Sequence, residues 1–148
     1  MPTMTEQTTQ VYEMFIKADP ERIWEAITTP EFTARYFHGA RITVTPDHYR
    51  SLSPDHELWG DENVLDYDPP RRLVHGWRSL YDPDMAAEQT SRVTWEIEPK
   101  DGGLCLLRVV HDQLEGAPKT AASVAGVGWI YVLSGLKTLL ETGEPLTT

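Results

Sequence analysis

The chain has 148 residues, enough to bury one continuous core and too few for two well-stabilised ones. Apolar residues make up 40% and charged residues 24%, a balance that excludes wholesale disorder. Thirteen Lys and Arg against twenty-three Asp and Glu give a net charge of -10 with the basic residues scattered, which excludes nucleic acid and anionic membrane as partners.

Residues 1–10 carry neither a basic start nor an apolar run, and the expectation is a flexible leader with no secretory signal. Val11 to Lys17 mixes β-branched, aromatic and polar residues in near alternation and reads as a half-buried strand. Asp19-Pro20-Glu21 then sets a carboxylate and a proline where a helix begins, because the first N–H groups of a helix lack partners. Ile23, Trp24, Ala26 and Ile27 follow at helical spacing. Thr29-Pro30-Glu31 repeats the start signal, with Phe32, Tyr36 and Phe37 as the apolar face of a second short helix.

From Arg41 the period is two: Ile42 and Val44, then Tyr49, Val64 to Tyr67, Leu73 to Tyr81, Arg92 to Glu98, and Leu104 to His111. Turn signals at Pro46-Asp47, Pro54-Asp55, Asp68-Pro69-Pro70, Asp82-Pro83-Asp84 and Lys100-Asp101-Gly102-Gly103 separate the runs, so an antiparallel meander is expected. In Arg92 to Glu98 the apolar Val93, Trp95 and Ile97 alternate with Thr94, Glu96 and Glu98, which leaves one sheet face wet and the other needing a cover. The segment from Thr120 to Thr142 supplies it. Ala122, Ala125, Trp129, Val132, Leu133, Leu136 and Leu140 fall at steps of three and four, and Gly143 and Pro145 stop the pattern. Such a helix is roughly 34 Å long, enough to cross a sheet diagonally. The uncharged stretch from Ala121 to Leu136 is too short for a membrane span and is broken by Gly126, Gly128 and Gly135. Residues 11–143 are therefore expected to form a single α+β domain, with 144–148 as a tail.

Three motifs resemble one known family. Ile16-Lys17-Ala18-Asp19-Pro20-Glu21-Arg22-Ile23-Trp24-Glu25-Ala26-Ile27-Thr28-Thr29-Pro30-Glu31 is similar to its opening strand and paired helices. Val64-Leu65 followed by Asp68-Pro69-Pro70-Arg71-Arg72-Leu73-Val74 and Trp77 is similar to its central hairpin. Gly128-Trp129, Leu133, Leu136-Lys137 and Leu139-Leu140-Glu141-Thr142-Gly143 are similar to its terminal helix. Together these resemble the START-like superfamily, in the bacterial branch related to the activator of the ninety-kilodalton heat-shock chaperone's ATPase. The resemblance implies a helix-grip fold, a curved antiparallel sheet wrapped around a long C-terminal helix, with a cavity between the two. The superfamily hosts lipid carriers, polyketide cyclases, hormone receptors and co-chaperone domains, so fold alone does not assign function.

In such a fold the concave face and the terminal helix are the cavity walls, and the expected lining is Phe37, His75, Trp77, Trp95, Val109, His111, Trp129, Leu133 and Leu136. His111 shares the phase of Cys105, Leu107 and Val109, and His75 that of Leu73 and Trp77. Trp77, Trp95 and Trp129 suit either pocket lining or plain core, since each buried aromatic removes about 150–250 Å² from water. Glycines 126, 128 and 135 cost roughly 1 kcal/mol each inside a helix, which close packing or room for a ligand would offset. The single cysteine, Cys105, excludes an internal disulfide, reads as an inert core thiol and fits a cytoplasmic setting. No catalytic constellation, metal site or cofactor motif is expected: histidine spacing suits no metal, and no nucleophile elbow or phosphate loop occurs. Carboxylate pairs such as Asp61-Glu62 read as a solvated face, and His38, His48 and His56 as solvated loop residues. Three functions compete: binding of a small hydrophobic or aromatic ligand, lipid or polyketide-like; a chaperone-interacting module related to the ATPase activator; and a cyclase or dehydratase using His111 or His75. A monomer or a homodimer suits each, and the segment from Tyr81 to Ser91 is either a lid or a solvated loop.

Overall fold

The computed structural model describes residues 8–146, so the leader reading for residues 1–7 and the tail reading for 147–148 lie outside the described residues. Seven strands form one antiparallel sheet: β1 (Gln10–Ile16), β2 (Arg41–Val44), β3 (His48–Leu52), β4 (Leu58–Asp68), β5 (Arg72–Trp77), β6 (Ser91–Pro99) and β7 (Cys105–Asp112). Their order, β1-β7-β6-β5-β4-β3-β2, makes β2 to β7 a meander that β1 joins at the far edge. Two short helices, α1 (Pro20–Thr28) and α2 (Pro30–Thr33), follow β1, each entered through a proline in its first turn. A one-turn helix, α3 (Pro83–Ala86), lies between β5 and β6.

The terminal cover is helical throughout but not uniform. It runs as α4 (Pro118–Ser123), a π-helical turn (Val124–Gly128) and α5 (Trp129–Thr142), closed by Gly143 in the left-handed region at φ 81°. The sequence period predicts one continuous helix from Thr120. The departure falls on the glycines, where helix propensity is weakest, and a Cβ at 128 would lie 3.1 Å from the Ser123 carbonyl oxygen. Strand ends also differ from expectation. β5 stops at Trp77, short of Tyr81, while β4 begins at Leu58, six residues before the apolar run at Val64, because Gly60-Asp61-Glu62-Asn63 has low strand propensity and is held by pairing with β3.

The concave face is divided. On the β1, β7 and β6 side it is filled: Ile16, Leu107, Trp95, Leu133 and Leu136 are each within 1% of complete burial, and α5 packs directly upon them. Gly135 lets the helix approach the chain after α2, since a Cβ there would be 3.1 Å from Tyr36 Cβ. Beneath β2 to β5 the covering helix gives way to the π-helical turn, and the face stays open.

Candidate functional site

That open half is a cavity of about 490 Å³. Its sheet wall comes from Ile42, Tyr49, Gly60, Glu62 and Trp77, its helical wall from Val124, Gly128, Trp129 and Val132, and its rim from Phe37, His38, Trp59 and Tyr81. Six aromatic side chains therefore surround it: Phe37, Tyr49, Trp59, Trp77, Tyr81 and Trp129. The rings meet at angles, Trp77 and Trp129 with centroids 5.6 Å apart, Phe37 and Trp77 6.1 Å, Trp59 and Tyr81 5.5 Å. Gly128 lies in the helical wall, where a Cβ would crowd the Ser123 carbonyl.

Of the nine residues the sequence marks out, Phe37, Trp77 and Trp129 line this cavity. His75, Trp95, Val109, His111, Leu133 and Leu136 belong to the packed layer, each at most 1% exposed. Alternation brings Trp95, Val109 and His111 to the concave side, where Leu133 and Leu136 of α5 close over the β6 and β7 half, and His75 on β5 is covered by the stacked Tyr49 ring.

The two histidines complete a buried polar layer. Trp95 donates its indole N–H to His75 Nε2 at 3.0 Å, and His75 Nδ1 lies 2.7 Å from the Gly76 carbonyl oxygen, so His75 carries its proton on Nδ1. Trp129 donates to His111 Nδ1 at 3.1 Å, which leaves His111 Nε2–H to donate to Ser91 Oγ at 2.7 Å, and Ser91 passes its own hydroxyl proton to the Trp77 carbonyl at 3.2 Å. Burial holds His75 down at about 4, and burial with the neighbouring His75 holds His111 at about 3. Both rings are neutral at pH 7 with every nitrogen engaged, an arrangement that orients Trp95 in the core and Trp129 in the cavity wall and supplies no proton donor to a ligand. Tyr49 stacks on His75 at 3.7 Å and presents the opposite side of the layer to the cavity.

One group read as solvated from sequence is not. Glu62 has a side chain only 13% exposed, in the cavity wall, 3.7 Å from Arg78 Nε, and burial raises its carboxyl above the usual range despite Arg78. His38 is exposed, as read from sequence, and is stacked on Tyr131 at 5.0 Å, where partial burial lowers its ring pKa. Nothing in the local sequence marks Glu62, whose placement follows from the β3–β4 register; Trp59 is the fifth tryptophan and was detectable by residue type. Cys105 is buried, donates to the Ala18 carbonyl at 3.2 Å, and is raised by burial and the nearby Asp19 and Glu21 carboxylates, the state of an inert thiol. Among the described residues no group of three His, Cys, Asp or Glu side chains is placed to hold a metal ion. No described helix is long and apolar enough to cross a membrane.

A family model described as Activator of Hsp90 ATPase homolog 1-like protein matches residues 17–141. The chain belongs to that family. No functionally curated protein matches it. Among solved structures, protein MLL2253 from Mesorhizobium loti is 24% identical with a TM-score of 0.72, over 90% of this chain and 96% of that one. PFC0360w, an HSP90 activator from Plasmodium falciparum, is 15% identical with a TM-score of 0.72, over 93% and 98%. DynU16, from the dynemicin biosynthetic locus, is 22% identical with a TM-score of 0.71, over 93% of this chain and 49% of that one. At these identities the likeness is one of fold: this Hsp90-activator-like chain is a START-like, helix-grip domain.

Proposed function

We propose that the protein binds a small hydrophobic or aromatic molecule in the cavity between β2 to β5 and the terminal helical segment. The observation that carries this reading is the cavity itself, about 490 Å³ of space walled by six aromatic side chains in a domain whose other half is packed shut. A fold needing only stability would close that space, because an unfilled apolar cavity costs contacts on every wall. The likeness to DynU16, from the dynemicin biosynthetic locus, supports it. The protein then works in the cytoplasm, which suits its buried free thiol, as a monomer or homodimer.

Native mass spectrometry of protein purified from its own host, followed by denaturation, tests the reading. The expected result is a recurrent apolar adduct that disappears in a Val132→Trp variant, which enlarges a side chain of the cavity's helical wall. A bare mass, with no member of a lipid and aromatic-metabolite panel raising the melting temperature, overturns it.

A second reading, an interaction module for an Hsp90-type chaperone, is supported by family membership and by the likeness to the Plasmodium HSP90 activator. It predicts salt-sensitive stimulation of the chaperone's ATPase, independent of cavity-filling substitutions.

A further inference from the structure

Among the described residues the cavity lining contains one carboxylate, and its surroundings are built to keep it there. Glu62 Oε2 lies 3.7 Å from Arg78 Nε, the Thr90 side chain hydrogen-bonds to the same carboxylate, and Arg78 is itself tied through Nη1 to the Ala86 carbonyl at 3.1 Å. At its foot is Gly76, where a Cβ would lie 2.8 Å from Glu62 Oε1 and 2.9 Å from Thr90 Cγ2. A glycine within a strand weakens the strand, and here it clears the space that the carboxylate occupies. We propose that Glu62 is the polar anchor of the cavity and that the ligand is an aromatic molecule whose hydroxyl group donates to the Glu62 carboxylate.

This rests on the ligand-binding reading and narrows it. A carboxylate offers about four acceptor positions, and Arg78 and Thr90 do not use them all. Around it stand aromatic rings, which give an apolar ligand stacking surface and give the carboxylate nothing, so the remaining acceptor capacity awaits a donor carried by the ligand. The charges select the kind of donor. Glu62 repels the carboxylate that an acid becomes at pH 7, while the Arg78 guanidinium at 3.7 Å already balances Glu62 and repels an ammonium group. A neutral hydroxyl meets neither objection, and a hydrogen bond to an ionised acceptor is stronger than one to a neutral acceptor.

Four probes on one scaffold test this by calorimetry at pH 7: naphthalene, 2-naphthol, 2-naphthoic acid and 2-naphthylmethylamine. The expected result is that 2-naphthol binds about tenfold more tightly than naphthalene, and that the acid and the amine bind more weakly than 2-naphthol. In Glu62→Leu the preference should invert, because a buried hydroxyl without a partner is worse than none. Glu62→Gln, which keeps an acceptor and the shape but loses the charge, should fall between the two and serves if the leucine variant does not fold. Naphthalene and 2-naphthol binding equally well, or a preference that survives both substitutions, overturns the anchor while leaving the cavity reading intact. If no probe binds, both fall. If the Glu62 variants lose melting temperature while the ratio of the two affinities stays as in the wild type, the ion pair is only a tie between sheet and loop.

Discussion

His75 and His111 each accept an indole N–H and donate their one proton elsewhere, so neither can take up a second proton without breaking a bond to a tryptophan. This has a pH consequence whose sign follows from their positions. Both rings have folded pKa values, about 4 and about 3, below the ordinary 6.5, so the unfolded chain binds more protons than the folded one beneath pH 6.5. Their contribution to stability is complete above pH 6.5 and is lost progressively as the pH falls toward 4 for His75 and 3 for His111. Between pH 6.5 and 5 each costs roughly 2 kcal/mol. Glu62, with its raised carboxyl pKa, works in the opposite direction, but it is one group against two. Urea unfolding should therefore show a marked loss of stability between pH 7 and 5, roughly halved in His111→Gln. A flat profile across that range would mean that the imidazoles are charged or solvated in the folded protein.

At the level of elements, the segment from Tyr81 to Ser91 illustrates a dependence between distant pieces of chain. α4 has no capping side chain of its own, since Ala117 precedes it. Glu88 supplies the cap from thirty-one residues away in sequence, accepting from Lys119 N at 2.7 Å, Thr120 N at 3.0 Å and Thr120 Oγ1 at 2.7 Å. Lys119 returns the contact through ion pairs to Asp82 and Asp84 at 3.0 and 3.1 Å. The segment is thus neither a free loop nor a detached lid; it is fastened to the start of the terminal helix and, through Arg78 and Ala86, to the cavity wall. Glu88→Ala should destabilise the protein by about 1 kcal/mol and speed amide hydrogen exchange at Thr120 and Ala121 well beyond the global change. Exchange that rises uniformly over the chain would show that the cap is not local to α4. The same example marks what was legible in the sequence. The short helices, the hairpin turns and the Gly143 stop are local chemistry and were readable. The Glu88 cap, the early start of β4 at Leu58 and the π-helical turn arise from contacts between remote segments, which no local pattern records.

For the molecule as a whole, sequence periodicity points strand and helix residues inward, and Phe37, Trp77 and Trp129 are in the cavity wall. It had no means of telling which half of that face the helix would close, because this depends on where α5 lies across the sheet. Charge is the other whole-molecule property. With twenty-three acidic and thirteen basic side chains, the folded state concentrates a net charge of -10 in one domain, and that repulsion opposes folding. Acting the other way are ion pairs such as Arg92–Asp112 at 2.6 Å and Arg108–Glu13 at 2.6 Å, which salt also weakens. Exposed pairs contribute about 0–1 kcal/mol apiece, and charges across the molecule interact over the Debye length, about 30 Å at 0.01 M salt and about 10 Å at 0.1 M. Screening should relieve more repulsion than it removes attraction, so raising sodium chloride from 10 to 300 mM at pH 7.5 should raise the melting temperature by a few degrees. A fall instead would assign the electrostatic balance to the ion pairs. The Arg92→Gln variant would then identify its share, because losing Arg92 should remove much of the salt sensitivity if that half-buried pair dominates.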